Sequence, residues 1–146
     1  MGRVLGVDFG EKRIGLAISD PGGTIAFPRE VMANPGKTGK AAIRVARWAE
    51  ENEVSRVVVG MPFEMDGGRG KQAHKVASFI GLLRKELGDE VPVDEWDERM
   101  TSKQAGRAMQ SAGVDTRKQR GVLDKVAAAL ILQAYLDHDA TRRARE

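Results

Sequence analysis

The chain has 146 residues, 41% hydrophobic and 31% charged, with no cysteine and a net charge of +3. Such a length and balance fit one globular domain with its own core and exclude a disordered chain. The lack of cysteine excludes disulfides and thiolate metal sites, so any metal must be held by oxygen or by the two histidines. No secretory leader or apolar span is legible, so the expected location is cytoplasmic, with no membrane partner.

Residues 3–10 are an apolar run interrupted by one carboxylate, Asp8. A strand apolar on both alternating faces is central and covered on both sides. An ionised Asp8 there is costly without a cation, a metal or donors around it, although a strand-end Asp that caps a turn accounts for the residue equally well. Gly6 and Gly10 leave room for another backbone or a ligand. After Glu11-Lys12, residues 13–20 read as a second strand, paired with the first as a hairpin. Asp20-Pro21-Gly22-Gly23 is turn chemistry, and residues 24–33 read as a third strand broken by Pro28. Three antiparallel strands therefore open the chain.

After Asn34-Pro35-Gly36 the period changes. Ala42, Val45, Ala46 and Ala49 recur at helical spacing over residues 38–52, and residues 54–60 form a short β-branched run. Strand, helix and strand at this spacing predict a parallel addition to the sheet. Residues 61–70 form a glycine-rich, charged loop after the carboxyl end of the fourth strand, where open α/β sheets bind ligands. An amphipathic helix is predicted over 71–87 and a fifth strand over 91–96, running into Asp97-Glu98-Arg99. Thr101-Ser102-Lys103-Gln104 has capping-box spacing and starts a helix ending near Gly113. A basic link over 117–121 precedes the last helix, 122–136. One domain, 1–137, is expected, followed by a basic, frayed tail, 138–146.

On that last helix Asp124 shares an arc with Ala127, Ala128, Ile131 and Tyr135. A first-turn Asp is favourable at a helix N-terminus, but on an otherwise apolar arc it needs further compensation. Asp97 and Glu98 end the fifth strand, on the same sheet edge as Asp8 and the glycine loop if strands one, four and five run parallel. Neighbouring strand residues point to opposite faces, so one of the two reaches the site. Glu98 is the expected one, Asp97 the alternative. Clustered carboxylates repel unless a hard cation such as Mg2+ or Mn2+ lies between them. Two such ions activate water and stabilise a leaving oxygen in phosphodiester cleavage. Arg13, Arg99, Lys103, Arg107, Arg117, Lys118 and Arg120 surround these acids in the sequence and suit the phosphate backbone of a nucleic acid.

Four motifs in this order resemble a known family. They are Val7-Asp8-Phe9-Gly10 with Lys12-Arg13-Ile14-Gly15, Val59-Gly60-Met61-Pro62 with Met65-Asp66-Gly67, Asp97-Glu98-Arg99-Met100-Thr101, and residues 124–133. The chain resembles YqgF-type proteins, the Holliday-junction-resolvase-like family also described as pre-16S ribosomal RNA nucleases. The resemblance implies an α/β, ribonuclease H-like three-layer fold with a mixed five-stranded sheet, antiparallel over its first three strands and flanked by helices. It implies a metal-dependent nuclease acting in 5′ processing of precursor rRNA, with branched DNA as a further substrate. It also implies Asp8, Glu98 and Asp124 as catalytic metal ligands, with Asp97 in the same motif, and Asp66-Gly67 as a loop beside the site. Related resolvases carry a catalytic glutamate where strand four here ends in Gly60-Met61-Pro62. The sequence leaves monomer and homodimer equally open.

Two other classes compete. A nucleic-acid-binding factor without catalysis, acting in ribosome maturation or transcription, fits the basic cluster and the missing strand-four glutamate. A sugar-kinase-like phosphotransferase also uses a glycine-flanked Asp hairpin, but it needs two lobes, and this chain has the length of one.

Overall fold

The computed structural model describes residues 2–64, 66–100 and 120–145, with the backbone alone for 120–122. Five strands form one sheet: β1 (Arg3–Phe9), β2 (Arg13–Ser19), β3 (Ala26–Ala33), β4 (Val54–Met61) and β5 (Val93–Asp97), in the order β3-β2-β1-β4-β5. β1 pairs antiparallel with β2, and β2 with β3, while β4 and β5 add in parallel. The opening hairpin is held tight: Gly10 N–H donates to the Arg13 carbonyl (2.9 Å), and Asn34 Nδ2 donates to the Gly10 carbonyl (2.8 Å). A Cβ at Gly10 would lie 2.6 Å from that Arg13 oxygen, so the turn requires glycine.

Helices α1 (Thr38–Glu51) and α2 (Lys71–Leu87) cover one face. Their buried stripes, Ala41, Ala42, Val45, Ala46 and Ala49 on α1 and Val76, Phe79, Ile80 and Leu83 on α2, meet Leu5, Val7, Ile14, Leu16, Val57 and Val59 in the larger core. Helix α3 (Arg120–Arg145) covers the other face through Ala128, Ala129, Ile131, Leu132 and Leu136. Several of the sheet residues that α3 meets are glycines. A Cβ on Gly6 would press on Leu132 (2.7 Å), one on Gly60 on Ile131 (2.8 Å), and one on Gly15 would collide with the Asp124 backbone carbonyl. Three glycines, one from each of three neighbouring strands, thus let a helix lie against the sheet closely enough to bring its first turns to the site. Gln133 then pins α3 to the hairpin side, accepting from Ala26 N–H (2.9 Å) and donating to the Thr24 carbonyl (3.0 Å).

The observed architecture is the expected three-layer α/β fold with a mixed sheet. Several details differ. Pro28 does not break β3, because β3 is an edge strand and its bulge at Arg29 absorbs the irregularity. β3 and β5 both begin two residues later than predicted. The last helix runs to Arg145 rather than Leu136, with Asp139 bonding Arg142 (2.9 Å) and Arg143 (3.2 Å) across its final turns. The helix expected after Thr101 lies outside the described residues.

Candidate active site

Side-chain alternation selects the residues that can meet. Val4, Gly6 and Asp8 of β1 point toward α3, as do Arg13 and Gly15 of β2 and Val58 and Gly60 of β4; Asp94 and Trp96 do the same on β5. By the same period Glu98, in the short 3₁₀ turn Glu98–Met100 after β5, falls on the α3 face, and Asp97 falls on the other. Gly60 makes the space for it: a Cβ there would lie 2.6 Å from Glu98 Oε1. Glu98 and Asp8 meet side by side over this gap and hydrogen-bond to each other.

The pair is electrostatically unfavourable as two anions. Burial, then the charge of Asp124, raises Asp8 to about 6, against the pull of its hydrogen bond with Glu98. Burial, then the charge and hydrogen bond of Asp8, raises Glu98 to about 7. The pair therefore keeps a shared proton to higher pH than separate, exposed carboxyl groups would.

Asp124 completes the acidic patch from the first turns of α3. It lies within electrostatic range of Asp8, and its Oδ2 accepts a 2.6 Å hydrogen bond from Arg13 Nε. Among the described residues no three Asp, Glu or His are gathered into a ready metal cage. The arrangement is a close carboxyl pair with a third carboxylate held aside by an arginine. Two half-buried carboxyl groups whose shared proton a cation would displace fit a hard divalent ion.

Asp97 faces away and is clasped by Arg99, whose Nε and Nη2 reach its carboxylate at 3.0 and 2.6 Å. That hydrogen bonding holds Asp97 below the usual carboxylate range. Arg99 also lies over the Phe63 ring at 5.5 Å and feels the charge of Asp66. The Asp66-Gly67 loop is a tight turn: Gly67 has φ +90°, its N–H donates to the Glu64 carbonyl (2.8 Å), and Asp66 Oδ1 accepts from Gly68 N–H (2.8 Å). Arg13 and Arg99 are thus bonded to acids of the site rather than presented alone. Lys103, Arg107, Arg117 and Lys118 lie outside the described residues, as does the side chain of Arg120.

Sequence reasoning missed several supports. Asn34 locks the hairpin, Gln72 Nε2 donates to the Phe9 carbonyl next to Asp8 (3.0 Å), and Phe63 carries two arginines, Arg69 and Arg99. Asn34 stood in a turn signal; nothing local marked Gln72 or Phe63.

A family model described as "RuvX: Holliday junction resolvase" matches residues 2–138. The chain belongs to this family. Relatives named "Putative pre-16S rRNA nuclease" include one from Halothermothrix orenii, 42% identical over 93% of this chain and 95% of its own length. Another, from Acetivibrio thermocellus, is 42% identical over 92% and 95%. Among solved structures, Thermus thermophilus RuvC in complex with a Holliday junction substrate superposes with a TM-score of 0.60 at 18% identity, covering 96% of both chains. At that identity the match shows the ribonuclease H-like fold. It agrees with the architecture described above for the RuvX-family chain.

Proposed function

We propose that this RuvX-family chain is a metal-dependent nuclease that hydrolyses phosphodiester bonds in the 5′ processing of precursor 16S rRNA, with Asp8, Glu98 and Asp124 as its acidic site. The observation that carries this reading is the half-buried Asp8–Glu98 pair at the carboxyl ends of β1 and β5, supported by the names of relatives of nearly full-length match. Asp8 and Glu98 would hold Mg2+ or Mn2+ in place of their shared proton, and Asp124 would join once Arg13 yields it. Bound there, the ions would supply water activation and would neutralise charge building on the phosphoryl oxygens and on the leaving oxygen. Arg13 and Arg99 orient Asp124 and Asp97 and set positive charge beside the path of the phosphate backbone. Branched DNA is the further substrate, since the family is described as one of Holliday junction resolvases.

Cleavage of single-stranded RNA, precursor 16S rRNA and a four-way DNA junction, side by side with Mn2+, tests this. Asp8→Asn should lower the rate by at least about a thousandfold while leaving binding and folding intact, as expected when a ligand of the reacting centre is lost. Retained cleavage in that variant would refute the assignment. One observation favours a second reading, a nucleic-acid-binding factor without catalysis: Asp124 is engaged by Arg13, leaving a carboxyl pair where a three-ligand set was expected. Metal-independent binding with no cleavage of any substrate would establish it.

A further inference from the structure

A cavity of about 580 Å³ opens beyond the free edge of β5, away from the acidic pair, between that strand and the last turns of α3. Its chemistry is mixed in a specific way. Trp96 forms an aromatic wall, edge-on to Tyr135 (6.2 Å between centroids) and tilted against His138 (5.5 Å). The Trp96 indole N–H is buried without a hydrogen-bond partner among the described residues. The carboxylates around it are answered: Asp94 by Arg56 (2.7 Å) and by the Tyr135 hydroxyl (2.7 Å), Glu95 by Arg69 (3.6 Å), and Asp139 by Arg142 (2.9 Å). Arg84 differs. It donates to the Val93 carbonyl (2.8 Å), and no carboxylate answers it among the described residues.

We propose that this cavity is a subsite for one unpaired nucleotide of the substrate strand, its base against Trp96 and His138 and its phosphate toward Arg84 and Arg142. A bare anion site would need only the arginines. The aromatic wall adds a stacking surface for a π-face, and Asp94 and Asp139 add acceptors for the N–H groups of a base edge. Position supports the assignment. Asp94, Trp96 and Glu98 fall on one side of β5 and its continuation, and the four steps from Asp94 to Glu98 span at most roughly 13 Å. A strand with its scissile phosphate at Asp8 and Glu98 therefore reaches the cavity within a few nucleotides. The subsite rests on the nuclease reading for its place on the substrate, but its occupancy is separately measurable.

Trp96 is its own probe, since the chain has two tryptophans and Trp48 is buried in the opposite core layer. In EDTA, titration of the Asp8→Asn protein with a 12-nucleotide single-stranded RNA should quench tryptophan emission. His138→Ala should weaken binding about tenfold, the scale of one lost stacking partner. Anisotropy of a labelled RNA reads the same affinity without relying on emission, and Trp48→Phe assigns the quench. Unchanged emission and unchanged affinity in His138→Ala, with wild-type cleavage intact, would overturn the subsite and leave the nuclease standing. Quenching with the expected affinity loss, but no cleavage by wild type, would keep the subsite and remove the nuclease. Nucleoside 5′-monophosphates that quench as tightly as the RNA would overturn the strand assignment in favour of a free-nucleotide site.

Discussion

Asp8 and Glu98 make the fold's stability depend on pH in a direction opposite to that of most carboxylates. Both are raised in the folded chain, to about 6 and about 7, above their free values of 3.8 and 4.5. The folded protein therefore binds protons that the unfolded chain releases. The stability linked to the pair is full below about pH 4 and is lost as pH rises through 6 and 7. In EDTA, the gap between wild type and Asp8→Asn should open between pH 4 and pH 8, with the variant more stable at pH 8 by on the order of 3 kcal/mol. Thermal melts at the two pH values measure it, and a gap of the same size at both would contradict the shared proton. A divalent cation should close the gap at pH 8 by taking the proton's place, and cleavage should fall below about pH 7 as protons compete for the same oxygens.

The contact of α3 with the sheet depends on glycines that differ in what they face. Gly15 faces the Asp124 backbone carbonyl, which cannot turn aside, whereas Gly60 faces the ends of Glu98 and Ile131, which can. Gly15→Ala should therefore cost about 1–3 kcal/mol, the range for overpacking. Gly60→Ala should cost less stability but lower cleavage by moving Glu98. Gly81, within α2, has open space around it, and Gly81→Ala should stabilise by about 0.5–1 kcal/mol. Chemical denaturation of the three variants orders them; equal costs would show that α3 does not sit as close as described. These glycines also explain what the sequence could and could not tell. The strands, α1 and the bounds of α2 were legible because periods of 2 and 3.6 are written locally. Asp8 and Asp124 stood out as charges on apolar faces. The partner of Asp124 was not legible, because Arg13 lies 111 residues away and nothing local distinguishes an arginine that bonds an acid from one that meets a phosphate. The continuity of β3 through Pro28 was hidden too, since being an edge strand is a property of the sheet.

Charge on the complete chain is modest, +3 overall, so affinity for nucleic acid depends on where cations cluster more than on their sum. Arg99 and Arg13 flank the acids, Arg142 lines the β5 cavity, and Arg143 and Arg145 follow it in the last turn of α3. A strand running from the acidic pair to the cavity passes several of them. Each phosphate neutralised releases counterions, so a plot of log affinity against log salt should be linear with a slope of about −0.7 per contact for single strands. Asp8→Asn should keep that slope, while Arg142→Gln should reduce it by about one such unit. Filter binding from low to moderate salt reads both, and a flat response would count against nucleic acid as the partner.

The 2.6 Å bond from Arg13 to Asp124 ties the second strand to the last helix. A growing polypeptide therefore displays its N-terminal aspartate long before the partner that completes the acidic patch has been synthesised. Premature fragments ending ahead of α3 would lack Asp124 altogether. For an enzyme proposed to cut the RNA of ribosomes with Asp124 in its site, such late completion would keep unfinished copies inert beside the machine that makes them.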